Sequence, residues 1–402
     1  MRILLINDFL EAGGAEIVFH KMKDALRDSG HEVDIFFGKE KPEPSGSPLS
    51  YIYNFKTVKN LNLLLKEKRY SIVIVFNYTS VLSPALLQVL RKHKRLQGFR
   101  VLYNAHDAHL ICPNSGLNYF DKGEPKLFKE YASASEFIWR RVDYRGWIYS
   151  LSKKMQWLLA YRILNLHKVF DKVLSPGIFL LQRIRRFYPS LDGTVLRNPC
   201  LGSKAEAQSG KISNDGSPLP ASPLGPASRN KCGANNCVRL LFVGRLSYEK
   251  GILPFLKALR GFQREYIFDI YGTGSLEKEI SDEIRRSGLT ERVSLKGARS
   301  HDEILSLMSD YDALVLPSSG AEFAPLSIVE AAAHGLFIMT VPQGGMKEMA
   351  EEVDNYIFID PVSTQSIEKA METISLESFR PSDLKAYTFQ SYKEALQHEI
   401  EE

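Results

Sequence analysis

Short apolar runs alternate with amphipathic stretches along almost the whole chain, and the alternation is broken once, between Leu201 and Cys237, by a segment rich in Gly, Ser, Pro, Ala and Asn. The first alternation reads as strands at Arg2–Asp8, Glu32–Phe37, Ser71–Phe76, Arg100–Ala105, Lys172–Ser175 and Thr194–Arg197, with helices between them. The second reads as strands at Val238–Val243, Tyr266–Tyr271, Val293–Lys296, Ala313–Leu316, Phe337–Thr340 and Tyr356–Ile359, with helices between all but the last two. Continuous apolar strands separated by helices indicate parallel sheets covered on both faces. At 402 residues the chain also exceeds one ordinary core. The expected class is therefore α/β, with two Rossmann-like doubly wound domains at 1–198 and 238–378, a low-complexity linker at 199–237, and a helical tail at 379–402.

A hydrophobic fraction of 44% with 25% charged residues belongs to a globular protein. No run approaches the roughly 18 apolar residues that span a bilayer. The opening Met-Arg-Ile-Leu-Leu-Ile-Asn-Asp reads as a first strand and not as an export signal, so a cytoplasmic protein is expected, taken as a monomer. Cys112, Cys200, Cys232 and Cys237 lack the spacing of a zinc site and are expected as free thiols. The net charge of +5 is too mild for a nucleic-acid footprint. It is concentrated between Trp139 and Tyr188, where basic residues interleave with Trp147, Tyr149, Trp157 and Tyr161. That stretch reads either as a peripheral contact with anionic lipid on the inner membrane face or as an internal helix with solvated arginines.

Chemistry concentrates in the second half. In Ala321–Gly335, Glu322 and Glu330 lie eight positions apart across a helix expected to start near Pro325, after the strand that ends at Leu316. Two carboxylates flanking a helix start suit a polyol bound beside an anion. Taken alone, Glu322 reads equally as an acid improving a helix start, and Glu330 as a solvated charge. Upstream, the strand ending in Phe242-Val-Gly244 is followed by Arg245 and Lys250, a guanidinium and an ammonium able to grip a diphosphate together. In the first half, Gly13 and Gly14 form a turn opening a helix, without the pattern of a dinucleotide fingerprint or a P-loop. His106 and Asp107 follow the strand at Arg100–Ala105, and neighbours on an extended segment point apart, so they are not expected to form a dyad. Asn77 ends another strand as a weaker candidate, while His109 and Asn198 read as structural residues.

Gly244-Arg-x4-Lys-Gly251, Tyr271-Gly-Thr-Gly274, Tyr311-Asp-Ala-Leu-Val-Leu-Pro-Ser318 and Glu-x7-Glu, in this order, resemble the retaining nucleotide-sugar glycosyltransferases of family four, group 1, which have the GT-B fold. Ala324-Pro325-Leu326-Ser327 stands where the commoner pattern has a glycine and is similar to the family's Pro-Leu-Ser variant. The resemblance implies two domains facing each other across a cleft, with the tail helix crossing back to the first. It implies that Arg245 and Lys250 hold the donor diphosphate, Glu322 meets the transferred sugar and Glu330 the ribose. Backbone near Gly272, together with Pro325, Leu326 and Ser327, would complete the donor site. Gly13 and Gly14 would approach the donor through their backbone, and His106 would contact its sugar.

The activity so implied is a hexosyltransferase of polysaccharide biosynthesis. It moves sugar from a UDP or GDP donor to a hydroxyl of a glycan or lipid-linked saccharide, with retention and without a cofactor or metal. A sugar-nucleotide epimerase of the same fold and a non-catalytic nucleotide-binding module remain alternatives. The residues fix neither the base, the sugar nor the acceptor.

Overall fold

The computed structural model describes the chain except residues 12, 42–47, 122–123, 129–133, 201–236, 261, 263, 377–381 and 383. Most of the segment expected as a linker, 199–237, lies outside the described residues. The chain divides into two compact units, Met1–Pro199 with Phe389–Glu402, and Cys200–Thr388.

The first unit runs β1 (Arg2–Phe9), α1 (Gly14–Asp28), β2 (Glu32–Lys39), α2 (Pro48–Ile52), α3 (Phe55–Glu67), β3 (Ile72–Val75), α4 (Leu86–Gln97) and β4 (Arg100–Asn104). It continues with β5 (Asn118–Asp121), β6 (Glu124–Leu127), α5 (Ala134–Trp139), α6 (Trp147–Trp157), β7 (Lys172–Ser175), α7 (Ile178–Phe187) and β8 (Asp192–Val195). Its main sheet is parallel throughout, in the order β2-β1-β3-β4-β7-β8. β1 and β3 are both interior strands of that sheet, which is why Ile3–Ile6 and Ile72–Val75 are apolar without alternation and buried. Each such side chain contributes roughly 1.5–3 kcal/mol by leaving water. The antiparallel hairpin β5–β6 was not expected. The last strand begins at Asp192 and ends at Val195, earlier than the Thr194–Arg197 read from the sequence.

The second unit runs β9 (Val238–Val243), α8 (Ile252–Ala258), β10 (Tyr266–Tyr271), α9 (Glu277–Arg286), β11 (Val293–Gly297), α10 (His301–Met308) and β12 (Ala313–Leu316). Then come α11 (Leu326–Ala333), β13 (Phe337–Thr340), α12 (Gly344–Ala350), β14 (Tyr356–Phe358) and α13 (Thr364–Leu376). Its sheet is parallel, in the order β11-β10-β9-β12-β13-β14. The order reverses direction beside β9, the kind of switch point where open α/β sheets bind ligands at their carboxyl ends.

The tail helix, α14 (Phe389–Glu401), starts later than the 379–402 stretch read from the sequence and belongs to the first unit, where it packs along α1. Lys172 Nζ meets Glu399 at 2.7 Å and Glu402 at 2.6 Å, and Tyr392, Leu396 and Ile400 are buried. Of the cysteines, Cys112 and Cys200 are free and buried, whereas Cys237 is disulfide-bonded, against the expectation of a free thiol.

Loops at the carboxyl edge of the second sheet touch backbone to backbone. Gly251 has φ +70, and a Cβ there would lie 1.9 Å from the Pro317 carbonyl oxygen. At Gly272, with φ +138, it would lie 1.8 Å from the Gly244 oxygen. The substitution Gly251→Ala must therefore separate the loops after β9 and β12 as well as strain the backbone. It is expected to cost on the order of 3 kcal/mol, read as a lower urea midpoint. An unchanged midpoint would mean these loops are not in contact.

Candidate functional site

In the second unit, β9 ends in Gly244, whose N–H donates to Tyr271 O at 3.0 Å, and the Leu246 N–H donates to Thr273 O at 2.9 Å. The Arg245 loop is thereby fixed beside Gly272. A 3-10 turn over Tyr248–Lys250 follows, and the Gly320 N–H donates to Glu249 O at 3.0 Å. These contacts bring Lys250 to the loop after β12, where its Nζ lies 2.5 Å from Glu322 Oε1. Both side chains are about four-fifths covered, with relative exposures of 18% and 21%. Ser318 donates to the same oxygen at 3.4 Å, and Gln343 Nε2 donates to Ser318 O at 2.8 Å. The Gly345 N–H donates to the Glu322 carbonyl at 2.8 Å, where a Cβ would lie only 2.0 Å from Phe323 O. Glu322 is thus pinned through both its backbone and its carboxylate.

Arg245 stands apart from that pair. Its side chain is 78% exposed and its nearest acid is Glu249 at 3.8 Å, while Glu249 also accepts from Ser247 Oγ at 2.6 Å. Its guanidinium is consequently free to turn toward an anion. Pro325 is the N-cap of α11, with ψ 109, so the helix begins at Leu326, one residue later than expected. Leu326 and Ser327 form its first turn. Glu330, one turn on, is 5% exposed and is not a solvated charge; its carboxylate accepts from His301 Nε2 at 2.7 Å. His301 opens α10 behind a Ser300/Glu303 capping box. His301 and Ser318 were not singled out from the sequence, because what marks them is a partner on another element.

In the first unit, Gly13 is the N-cap of α1 with extended φ, and Gly14 is its first residue. The helix start already faces a carboxylate of its own chain, because Glu16 is buried and its Oε2 lies 3.9 Å from where a Gly13 Cβ would be. Burial raises the Glu16 pKa. Asn7 and Asp8, at the end of β1, organise the loop after β3. Asn7 donates to Phe9 O at 2.7 Å and accepts from the Asn77 N–H at 3.0 Å. Asp8 accepts from the N–H groups of Ser80, Val81 and Leu82 at 2.8, 2.9 and 2.8 Å. Asn77 leaves its Oδ1 buried without a hydrogen-bond partner. Asn7, Asp8 and Glu16 carried no signal in the sequence beyond lying beside a strand end or a glycine turn.

His106 and Asp107 point to different neighbours. The His106 ring stacks on Phe76 at 5.5 Å, and Asn104 Nδ2 donates to its Nε2 at 3.2 Å, leaving the proton on Nδ1. Burial lowers its pKa to about 4, so the ring is neutral at pH 7. Asp107 accepts from the His109 N–H at 2.9 Å, and burial pushes its carboxyl up to about 6. His109 lies between Tyr78 and Tyr161 as part of the core beneath the site, its pKa lowered by burial to about 3. Asn198 is buried at the end of this unit.

The fold is that of the GT-B glycosyltransferases. The structure aligns over its whole length with 99% of Anabaena HepE, solved in complex with UDP and glucose, at 16% identity and a TM-score of 0.60. Residues 228–391 match the family model of glycosyl transferases group 1. Across 90% of its length it is 24% identical to an uncharacterized 42.6 kDa protein in the cps region of Klebsiella pneumoniae, covering 91% of that protein. Over 112 residues it is 36% identical to glycogen synthase of Mycobacterium tuberculosis, a match spanning 27% of each chain.

The buried His109 sets a pH dependence. Its folded pKa lies below the ordinary value, so its contribution is present above about pH 6.5 and is lost as pH falls toward 3. Between pH 7 and pH 5 this loss is about 2 kcal/mol. His109→Gln is expected to flatten the fall in melting temperature over that interval. An equally steep fall in the variant would exclude His109 as its source.

Proposed function

We propose that the enzyme transfers a sugar from a nucleoside-diphosphate sugar to a hydroxyl of a glycan or lipid-linked saccharide, with retention and without a metal ion. The observation that carries this reading is the Lys250–Glu322 pair, held at the carboxyl edge of the second sheet beside the first turn of α11. Lys250 has two further N–H donors for a phosphate oxygen, and Arg245, 78% exposed, offers a bidentate fork that among the described acids meets Glu249 at 3.8 Å. Together with the start of α11 they would concentrate positive charge on a diphosphate as it leaves. That is the work a divalent ion does elsewhere. Among the described residues, the group spaced to hold a metal is His398, Glu399 and Glu402, and there Lys172 already sits between the two glutamates.

In this reading the bond from the anomeric carbon to the diphosphate oxygen breaks while the acceptor oxygen bonds to the same face. The acceptor proton passes to the departing phosphate oxygen, so no protein base is needed. Glu322 would accept from a hydroxyl of the transferred sugar, and Glu330, preset by His301, from a ribose diol. In the first unit, the neutral His106 ring would meet a sugar hydroxyl by hydrogen bonding, and Gly13 and Gly14 would offer backbone N–H groups. UDP is the favoured diphosphate because HepE was solved with it. A polysaccharide acceptor is favoured by the cps-region relative.

A panel of nucleoside diphosphates tests the donor, since a ligand that binds only the folded protein raises its melting temperature. UDP is expected to give the largest shift. Lys250→Ala should lower kcat/KM about 100-fold. Glu330→Ala should raise the donor KM about tenfold while changing kcat less. Activity should persist in EDTA. Interconversion of the donor without any acceptor would replace this reading with epimerisation, and loss of activity in EDTA would end the metal-free mechanism.

A further inference from the structure

Helix α6 is inside out. Its inward side carries Ser150, Ser152, Lys154 and Gln156, all buried, and its outward side carries Trp147, Ile148, Leu151 and Met155, with exposures of 61%, 74%, 58% and 45%. At 100° per residue those four fall within about 100° of one another, a single stripe along the helix. The polar side faces inward because it binds loops. Ser150 Oγ accepts from the N–H groups of Val142 and Asp143 at 3.1 and 3.0 Å, and Gln156 Nε2 donates to Tyr51 O and Thr79 O at 2.5 and 3.1 Å. Lys154 Nζ donates to Ile138 O at 2.6 Å and lies 5.2 Å from the Trp147 ring. The end of α5, with Trp139 at 82% exposure, therefore sits beside the stripe.

Charge selects the occupant. From Trp139 to Tyr188 the chain has eleven Arg and Lys residues against two acids, Asp143 and Asp171. Asp143 is already held by Arg145 and Lys153 at 3.0 Å each. Arg140, exposed, follows Trp139, and Arg162, also exposed, lies beyond the end of α6. A second copy of the chain would bring the same positive field and be repelled. We propose that the α6 stripe with Trp139 is a docking surface for an anionic lipid bilayer, lying in the headgroup boundary with the arginines on lipid phosphates and the tryptophans at the acyl margin. The surface would bring the first unit to a lipid-linked acceptor, but its binding requires neither donor nor acceptor, so it is tested apart from sugar transfer.

The test is co-sedimentation of the full chain with vesicles of phosphatidylglycerol and phosphatidylethanolamine, against vesicles of phosphatidylcholine alone. The wild type should bind the anionic vesicles at low salt, with a blue shift of tryptophan emission. The triple variant W147S/I148S/L151S should bind at least tenfold more weakly, with its melting temperature and its UDP-induced shift retained. Arg140→Gln with Arg162→Gln should weaken binding and lessen its salt dependence. Equal binding by wild type and triple variant would overturn the proposal, as would no wild-type binding at low salt. Concentration-dependent self-association abolished by the triple variant would assign the stripe to a second copy and overturn it too.

Discussion

Backbone packed directly on backbone, at the carboxyl ends of β9, β10 and β12, is the constraint on which the second unit's site depends. Gly251 against Pro317, Gly272 against Gly244 and Gly345 against Phe323 are contacts that no residue with a Cβ could make unchanged. They set where the backbone carries Lys250 and Glu322, independently of the ion pair between the two side chains. The pairing of a cation from after β9 with a carboxylate from after β12 follows from that geometry. Parallel strands supply the rest: all their carboxyl ends lie on one edge, so residues far apart in sequence meet there.

Within each unit, most of the candidate polar groups already have partners. Lys250 is paired with Glu322, Glu330 with His301, and Asp8 with three backbone N–H groups. Such pairing fixes the orientation of these groups and satisfies polar atoms that burial would otherwise leave without partners. Asp8 shows the balance: burial raises its pKa, and the N–H groups of the loop after β3 pull it down. Arg245 and Asn77 Oδ1 are the contrast, one largely solvated and one buried without a hydrogen bond. In the proposed reaction, a leaving diphosphate would meet some charges held fixed and one long cation still able to move.

What the sequence made legible has a physical pattern. Central strands such as Ile72–Val75 and Ala313–Leu316 are covered on both faces, so their uninterrupted apolar runs announce them. The hairpin of β5 and β6 is short and polar and lies outside the main sheet, and no such run marks it. Helix α12 opens with Gly344-Gly345, poor helix formers chosen for the contact with Phe323, which hides it from propensity. In the site, Glu322 and Glu330 were legible through their spacing across α11. Their partners were not: His301 reaches Glu330 from 29 residues upstream and Lys250 reaches Glu322 across 72, separations that only the sheet order closes. The Pro325 boundary was off by one because proline fixes φ but leaves ψ free to stay extended.

Between Gly146 and His167 the helix has two differently placed faces that its sequence does not separate. The internal reading of the stretch treats Trp147 and Trp157 alike, yet one is exposed and the other buried. Ten residues are about 1000° of helix, so the two tryptophans lie about 80° apart around the axis, enough to separate solvent from core. Beyond Trp157 the chain widens into a π-helix over Leu158–Ile163. The extra residue per turn shifts the buried face, and Ala160 and Tyr161 turn inward. Tyr161 thereby places its hydroxyl 2.6 Å from that of Tyr78 and its ring edge on His109, beneath the loop that carries His106. One local change of helical pitch thus joins the exposed stripe of α6 to the core that supports His106, and periodicity assuming 3.6 residues throughout has no means of finding it.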